Sequence, residues 1–386
     1  MSAGKTCLAT FSRTQCPLSR RPSAEGGEVR MGAFFAEGDH DRGGQNPPKS
    51  PFTKGGLQLS RFKKRDRGDF RTSLAVIQTL GYHALNPWVW AHKTQFLRGD
   101  QVMKTTTKLR QMIDSDSLTV APFVLNAFHA KIAESVGFQA VYMTGAGTSA
   151  ERGFPDVGLL TMTEMVSNAK YIAGAVDIPV ICDADTGYGN PLNVRRTIRE
   201  YEGAGVAGVH IEDQVFPKKC GFFAGKQVIP QEEAVQKIKA ALDARSDPDF
   251  VVIARCDAYA VTGWEDTVER SHAYIEAGAD LVFVDGIKSR EDIENYARDM
   301  GSLPRMYNGD LANTKEMDAL GYKVMICGST IWLIYKQLKD SFTELMEEGA
   351  VNPERYGTRW DVAGLMGLDD IYELEQKYGV TEAPVV

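Results

Sequence analysis

From Met103 onward, short apolar segments alternate with amphipathic segments in a regular order. Helical periodicity ends at a glycine, an apolar segment follows, and polar residues come directly after that segment. Gly137, Gly205, Gly278 and Gly321 stand where four helices would end in a left-handed residue. The apolar segments predict eight strands, at residues 121–125, 140–143, 180–182, 208–211, 250–254, 281–284, 305–307 and 324–326.

Start signals predict helices between these strands. The signals are Thr161 with Glu164, Asn190 with Pro191, Gln231 with Glu232 and Glu233, and Ser289 with Asp292. Eight alternating units predict an α/β fold, a closed (β/α)8 TIM barrel. The alternative is an open doubly wound sheet, although no GxGxxG motif follows any strand. Either fold places functional residues at the carboxyl ends of the strands.

The first 102 residues differ from the rest in charge and in pattern. They contain 16 basic and 8 acidic residues, whereas the whole chain contains 44 and 51. Because they show little apolar periodicity, we expect a disordered segment or a spurious extension ahead of a start at Met103, with a genuine tail or a transit peptide as the alternative. The expected domains are this extension at 1–102, a catalytic barrel at 103–348 and a helical segment at 349–386.

Composition also bears on partners and location. The acidic body argues against nucleic acid, and no apolar stretch suits a secretory signal or a membrane span. The six cysteines show no CxxC pair and no disulfide spacing, and the six histidines are too scattered for a zinc motif. We therefore expect a bacterial cytoplasmic protein that acts on a small molecule.

Two carboxylates stand together where the third predicted strand ends. Asp183 and Asp185 alternate to one side of an extended chain, so both could face one hard cation such as Mg2+. Alternatively, they cap the helix that begins near Pro191. The residues alone leave both interpretations open.

Further polar residues follow the other strands, and we expect them to meet at one mouth. They are residues 144–147, Glu212 and Asp213, Arg255 and Asp257, Asp285, and Asn308 with Asp310. Acids gathered there would repel one another unless a divalent cation joined them. Arg255 suits a substrate carboxylate or phosphate, with a salt bridge inside the mouth as the alternative. The glycine-rich residues 144–147 predict either an anion-binding turn or a simple tight turn.

The segment at 214–226 is a long loop after the fourth strand. It contains three lysines, two glycines and Cys220. This composition indicates a mobile lid that carries a thiol, and nearby lysines would favour its thiolate form. An inert cysteine is the alternative.

These residues lie in motifs that resemble the isocitrate lyase and phosphoenolpyruvate mutase superfamily, especially its 2-methylisocitrate lyase and 2,3-dimethylmalate lyase branch. The resemblance covers nearly all of 104–345. Its motifs are YMTG at 142–145, PDVGLLT at 155–161, DADTGYG at 183–189, HIEDQ at 210–214, KKCG at 218–221 and IARCDA at 253–258. The resemblance implies a barrel whose last helix, expected at 330–348, is exchanged between subunits of a homotetramer built from helix-swapped dimers.

The resemblance also implies roles for individual residues. Mg2+, or Mn2+ in its place, would be held by Asp183, Asp185 and Glu212, with Asp156 nearby. The substrate would be bound by Thr144, Gly145, Ala146, Gly221, Arg255, Asp285 and Asn308. Cys220 would be the general acid of the lyases, and Tyr142 or a metal-linked group would be the base.

Three positions depart from the family pattern. Phe222 replaces a usual histidine after the Lys-Lys-Cys-Gly motif, and Asp285 replaces a usual glutamate. The apolar ring argues against a tricarboxylate substrate, and the shorter acid indicates a reshaped pocket. Asn126 stands where many relatives have aspartate, with no mechanism attached to it.

The expected activity is a Mg2+-dependent carbon–carbon lyase. It would cleave a 2-hydroxy dicarboxylate or tricarboxylate, of the 2-methylisocitrate or 2,3-dimethylmalate type, to a 2-oxo acid such as pyruvate and a second carboxylic acid. The alternatives are oxaloacetate decarboxylation or hydrolysis, or phosphoryl migration as in phosphoenolpyruvate mutase. A carboxylate-binding barrel without catalysis is a third hypothesis, from another class.

Overall fold

The computed structural model describes residues 103–221 and 223–380. The expectations for 1–102 and for Phe222 therefore lie outside the described residues. Eight parallel strands close into one barrel, with each strand paired to the next and β1 paired to β8. They are β1 (Thr119–Val124), β2 (Val141–Met143), β3 (Val180–Asp183), β4 (Gly208–Glu212), β5 (Val251–Cys256), β6 (Leu281–Val284), β7 (Arg305–Asn308) and β8 (Val324–Cys327).

The predicted (β/α)8 barrel is thus confirmed, and the open-sheet alternative is wrong. Asp183, Glu212 and Asn308 were expected just after their strands, but each is the last residue of its strand. Their backbone groups belong to the barrel ladder, as in the pairing of Glu212 with Arg255. These side chains are therefore positioned by the sheet rather than by loops.

Helices follow the strands in the order expected for this fold. They are α1 (Thr105–Asp114), α2 (Ala127–Ser135), α3 (Gly145–Glu151), α4 (Met162–Ala173), α5 (Pro191–Gly203), α6 (Gln231–Ala244), α7 (Trp264–Glu276), α8 (Arg290–Met300), α9 (Thr314–Ala319), α10 (Ser329–Glu348), α11 (Arg359–Leu365) and α12 (Leu368–Tyr378). Short 3-10 turns lie at Ala258–Ala260 and Pro353–Arg355.

The predicted helix starts are found in the structure. Thr161 and Ser289 each form a capping box, and the side chain of Asn190 caps α5. Because Asn190 fills this role, the alternative in which Asp183 and Asp185 cap that helix is wrong. The four glycines predicted to end helices all have positive φ, from 74° at Gly321 to 105° at Gly278.

The core lies in two layers. Side chains inside the barrel form one cluster, which includes Tyr142, Ile253 and Phe283. Leu109 and Ile113 of α1 belong to the same cluster, so α1 covers the amino-terminal end of the barrel. Two larger clusters fill the space between the sheet and the outer helices. The carboxyl ends of the strands are left as the open end of the barrel.

The C-terminal helices show a different pattern. Only the start of α10 packs on the barrel, and Ile331 contacts the interior cluster. Beyond it, apolar side chains of α10 are exposed, from 48% at Leu345 to 88% at Met346. None of the helices in the described ranges is both long and apolar enough to cross a membrane.

Candidate active site

A cavity of about 150 Å3 opens at the carboxyl ends of the strands. Most of the predicted site residues line it, namely Tyr142, Thr144, Ala146, Asp156, Asp183, Cys220, Gly221, Arg255, Asp285 and Asn308. Gly145, Asp185 and Glu212 do not line it but are buried next to residues that do. The fold thus brings groups from six strand ends, β2 to β7, and from two loops to a single place.

A larger cavity of about 490 Å3 lies at the amino-terminal end, beside α1. Its charged groups include Lys108 and Asp177, and Nζ of Lys108 donates to the carbonyl of Asp177 at 2.8 Å. Buried carboxylates, an arginine and a thiol meet around the smaller cavity. The chemistry therefore points to the smaller cavity.

Arg255, on β5, is the central cation of the site. Its Nε lies 2.8 Å from Oδ2 of Asp257 and 3.3 Å from Oε2 of Glu212, and its Nη2 donates to Oδ2 of Asp285 at 2.8 Å. Burial opposes the charge, but these three carboxylates raise the pKa of Arg255 well above its usual value. The salt bridges considered for Arg255 are thus present. Within the described ranges, Nη1 makes no hydrogen bond, which leaves it available to a ligand.

Asp183 ends β3 and is held by two backbone amides. Its Oδ1 accepts from the N–H of Asp185 at 2.9 Å, and its Oδ2 accepts from the N–H of Gly145 at 3.2 Å. A Cβ at residue 145 would lie 2.5 Å from Oδ2 of Asp183. Glycine is therefore needed at 145 for the backbone to approach this carboxylate.

Asp185 and Asp156 share one buried cation, Lys218. Nζ of Lys218 lies 2.6 Å from Oδ1 of Asp156 and 2.9 Å from Oδ1 of Asp185. Burial raises the pKa of Asp185 to about 6, against the effect of Lys218 and with help from the charges of Asp183 and Asp156. Asp185 also has a φ of 47°, a left-handed conformation that is uncommon outside glycine and is concentrated at functional sites. Sequence reasoning did not assign Lys218 a partner.

Glu212, the last residue of β4, is buried, and neither carboxylate oxygen accepts a hydrogen bond from a described residue, although Nε of Arg255 lies 3.3 Å from Oε2. Burial raises its pKa well above the usual value, although Arg255 and Lys218 act in the opposite direction. Such an orphaned carboxylate beside Asp183 and Asp185 fits a nearby divalent cation. In the described part of the chain, no three His, Cys, Asp or Glu side chains are arranged to hold a metal ion. Carboxylate oxygens are the ligand type that an ion such as Mg2+ takes, usually one or two of them together with several waters.

Tyr142, on β2, contacts a buried histidine that the sequence did not indicate as a site residue. Its hydroxyl lies 2.6 Å from Nε2 of His210, which in turn lies 3.7 Å from Oδ1 of Asp183. Burial, reinforced by Asp183, raises the pKa of Tyr142 well above its usual value. Burial lowers the pKa of His210 to about 4, so the imidazole is neutral near pH 7.

The charge of Asp183 follows from these neighbours. Burial opposes ionisation, but His210, Lys218 and Arg255 outweigh it and lower the pKa of Asp183 to about 2. Because His210 is neutral near pH 7, the charges that act there are those of Lys218 and Arg255. Asp183 is thus a carboxylate at the floor of the cavity across the whole physiological range.

The loop after β4 brings Cys220 to the cavity. The N–H of Cys220 donates to the carbonyl of Asp156 at 3.0 Å, and the cysteine is in no disulfide. A Cβ at residue 221 would lie 1.4 Å from Oδ2 of Asp285, so only glycine fits there. The loop is therefore packed directly against Asp285, which also accepts from Nδ2 of Asn308 at 3.1 Å.

Each of the three lysines of this loop has a contact in the structure, and their predicted effect on the thiol stays a prediction. Nζ of Lys218 contacts Asp156 and Asp185, and Nζ of Lys219 donates to the carbonyl of Ala224 at 3.5 Å. Nζ of Lys226 pairs with Asp257 at 2.9 Å. Two of the three charges are thus used by carboxylates, because the loop folds over an acidic mouth.

Residues 144–147 form the start of α3 rather than a tight turn. Thr144 is the N-cap, and its side chain accepts from the N–H of Gly147. Thr144 and Ala146 line the cavity, while Gly145 stands behind Asp183. The predicted turn is therefore wrong, whereas anion binding by the amides of these residues stays a prediction.

An apolar wall faces the charged side of the cavity. Phe123 of β1 and two residues at the start of α10, Ile331 and Trp332, form it. Sequence reasoning missed these residues because α10 was considered only as an exchanged helix. The signal for the two helix residues was an apolar pair, Ile331-Trp332, that follows β8 after three small residues.

A closed barrel whose strand ends place carboxylates, an arginine and a thiol around a small cavity is the architecture of an enzyme that acts on small anions. Comparison with protein families narrows this class. The phosphoenolpyruvate phosphomutase family matches residues 109–346, and the chain belongs to this family, within the phosphoenolpyruvate mutase and isocitrate lyase superfamily.

Two curated relatives match this chain over most of their own length. A 2,3-dimethylmalate lyase of Eubacterium barkeri is 43% identical over 285 residues, which are 72% of this chain and 99% of the relative. A 2-methylisocitrate lyase of Aeropyrum pernix is 38% identical over 285 residues, or 71% of this chain and 91% of the relative. Both relatives are lyases, so the predicted family branch and enzyme class are confirmed.

Solved structures share the fold. Oxaloacetate acetylhydrolase bound to 3,3-difluorooxalacetate superposes with a TM-score of 0.69 at 34% identity, covering 72% of this chain and 99% of that one. Phosphonopyruvate hydrolase with oxalate and Mg2+ superposes with a TM-score of 0.67 at 30% identity, with the same coverage. Relatives with different reactions therefore share this barrel.

Proposed function

We propose that the protein is a Mg2+-dependent carbon–carbon lyase that cleaves a 2-hydroxy dicarboxylate to a 2-oxo acid, such as pyruvate, and a second carboxylic acid. The observation that carries the proposal is that one small cavity holds Cys220, Asp183 and an arginine with an unused Nη1. Cys220 suits the general acid of such a cleavage, and Asp183 suits a metal ligand. The arginine suits the group that binds a substrate carboxylate. The lyase relatives support the same reaction class.

The metal side of the cavity would consist of Asp183, Asp185 and Glu212, with Asp156 nearby. Mg2+ bound there would supply positive charge for the 2-hydroxy carboxylate and for the oxygen that becomes the carbonyl. The orphaned oxygens of Glu212 support this assignment. A solved relative that contains oxalate and Mg2+ supports it as well. Mn2+ is the expected substitute.

The reaction would begin with loss of the substrate hydroxyl proton. We assign Tyr142 as the acceptor, with His210 behind it. Because the pKa of Tyr142 is raised, its hydroxyl is protonated at rest and can accept a proton only while passing its own to Nε2 of His210 at 2.6 Å. The neutral imidazole can take that proton.

Bond cleavage would follow in retro-aldol fashion. The electron pair of the broken carbon–carbon bond moves to the departing acid, and the C2 oxygen becomes the carbonyl of the 2-oxo acid. Cys220 lines the cavity and would protonate the carbanion. The proton held by Tyr142 and His210 then restores the thiol, so that protons balance over the cycle.

The cavity favours a dicarboxylate over a tricarboxylate. In the described ranges, Arg255 is the only cationic side chain that lines the cavity. The volume of the cavity is about 150 Å3. A third carboxylate would lie against Phe123, Ile331 or Trp332, where burial of an unpaired charge is costly. Methyl substituents suit the same wall. A substrate of the 2,3-dimethylmalate type therefore fits better than 2-methylisocitrate.

A coupled assay of 2-oxo acid release tests this proposal. The substrates are 2,3-dimethylmalate, malate, 2-methylisocitrate, isocitrate, oxaloacetate and phosphonopyruvate, each with Mg2+ and with a chelator. We expect Mg2+-dependent release of pyruvate that is fastest from 2,3-dimethylmalate. Fastest turnover of a tricarboxylate would contradict the substrate class, and turnover independent of divalent metal would contradict the mechanism.

A second candidate is hydrolysis or decarboxylation of oxaloacetate. The superposition on oxaloacetate acetylhydrolase favours it, since that enzyme shares the barrel at 34% identity. Oxaloacetate is also a dicarboxylate of suitable size. Turnover of oxaloacetate alone, unaffected by substitution of Cys220, would select this candidate. Phosphoryl migration is less favoured, because the mutases that the chain resembles have no cysteine at the position of Cys220 in this loop.

The exposed face of α10 supports an assembly of several copies. Leu338, Phe342, Leu345 and Met346 lie on it, and each is at least 48% exposed. A contiguous apolar surface of this kind marks a protein interface. We assign a second copy of the chain as its partner, in a homotetramer built from helix-swapped dimers.

A further inference from the structure

A second lysine of the Cys220 loop is buried at the site. Lys226 is 8% exposed although it lies in a surface loop, and its Nζ donates to Oδ1 of Asp257 at 2.9 Å. Asp257 is fully buried. Long charged side chains are rarely buried unless a specific partner requires it. The pairing therefore calls for an explanation.

Asp257 connects Lys226 to the central arginine. Oδ1 of Asp257 accepts from both Lys226 and Nη2 of Arg255, the latter at 3.1 Å, and Oδ2 accepts from Nε of Arg255 at 2.8 Å. Lys226 and Arg255 are thus the two side chains that hold this carboxylate. Nη2 of Arg255 also reaches Asp285. The positions of Asp257 and Asp285 therefore set the plane of the Arg255 guanidinium.

We propose that Lys226 is a positioning residue, which holds Asp257 so that Nη1 of Arg255 points to the substrate carboxylate. This role rests on the proposed function, because it assigns Arg255 to a carboxylate ligand. Lys226 also adds a second positive charge beside a cluster of Glu212, Asp257 and Asp285. Without it, Arg255 and Lys218 would be left to balance these three carboxylates, and Arg255 would attract a ligand less.

The same contact ties two parts of the site together. Lys226 and Cys220 belong to one loop, whereas Arg255 and Asp257 belong to β5 and the residue after it. Gly221 of this loop already packs against Asp285. Lys226 therefore links the position of the segment that carries Cys220 to the orientation of Arg255.

The test is binding of oxalate, in the presence of Mg2+, measured by isothermal titration calorimetry. Lys226→Met keeps an unbranched side chain, one atom shorter, but removes its charge, and we expect the Kd for oxalate to rise about tenfold or more. Lys226→Arg should stay within about threefold of the wild type. Lys219→Met is the matched control, because Lys219 is exposed in the same loop and its Nζ donates to the carbonyl of Ala224. The Kd of this variant should not change.

A double-mutant cycle with Asp257→Asn separates positioning from a merely structural role. If Lys226 acts through Asp257, adding Lys226→Met to Asp257→Asn causes little further loss of oxalate affinity. Thermal unfolding of every variant shows which are folded, and Lys226→Arg provides the comparison if Lys226→Met unfolds. A Kd unchanged in folded Lys226→Met, or the same loss with and without Asp257, would overturn the role. A wild type that binds no oxalate with Mg2+ would instead overturn the proposed function and this role with it.

Discussion

Burial decides the charge of most groups around the cavity. It raises the pKa of Glu212 well above its usual value and that of Asp185 to about 6, while nearby cations lower the pKa of Asp183 to about 2. Without a further cation, part of Asp185 is therefore neutral at mildly acid pH, and Glu212 keeps its proton to a higher pH than an ordinary glutamate does. A divalent ion would favour the carboxylate form of all three.

Binding of Mg2+ is expected to depend on pH for this reason. The ion binds carboxylates and not carboxylic acids, so protons leave as it binds and its affinity rises with pH. The range from about pH 5 to pH 7 spans the pKa of Asp185. Over this range we expect the affinity for Mg2+ to rise about tenfold per pH unit for each proton that is released on binding. Titration calorimetry in two buffers of different ionisation enthalpy measures both affinity and proton release. Equal affinity at the two pH values would contradict the assignment.

Among the elements, the strands were predictable and the loop contacts were not. All eight strands lie within two residues of their predicted positions, because buried parallel strands are short apolar segments bounded by glycine and polar residues. The residues at strand ends were predictable for the same reason. The contact of Lys218 with Asp185 depends on the path of a loop, and the position of Trp332 at the cavity depends on the path of a helix. Hydrophobic periodicity does not encode either path.

The loop after β4 makes its closest approach at Gly221, so substitution there is expected to disturb the site. In Gly221→Ala, the added Cβ would lie 1.4 Å from Asp285, and the loop or Asp285 must move. We expect kcat/KM to fall about 100-fold or more, since misplacement by about 1 Å can have that effect. Steady-state kinetics measures the loss. Gly203→Ala is the control, because a Cβ at residue 203 meets no atom within 4 Å. Equal activity of both variants would show that the loop does not pack as described.

At the scale of the whole molecule, the barrel is complete but α10 is not buried. Trp332 at the start of this helix lines the cavity, while Phe342 and Met346 are 65% and 88% exposed. One helix thus joins the substrate wall to the proposed interface between copies. The first 102 residues lie outside the described ranges, so their predicted character stays a prediction.

Substitution of the exposed face of α10 is expected to dissociate the assembly. Phe342→Asp together with Leu345→Asp places two charges where the second copy would pack, and burial of unpaired charge is costly. Sedimentation velocity should show the wild type as a tetramer and the double variant as smaller species. The control is Leu192→Asp, which changes an apolar residue on α5 that is 75% exposed. An identical sedimentation coefficient for wild type and double variant would contradict the interface.

The central claim is that Cys220 donates the proton that completes cleavage. The most direct measurement is pyruvate release from 2,3-dimethylmalate by Cys220→Ser, with oxalate binding in the presence of Mg2+ as a check that the site is intact. We expect kcat to fall about 100-fold or more, because general acid catalysis contributes at least that factor. Cys327→Ser, a substitution at the end of β8 that leaves the thiol at the cavity in place, should keep full activity. Full activity of Cys220→Ser would contradict the account.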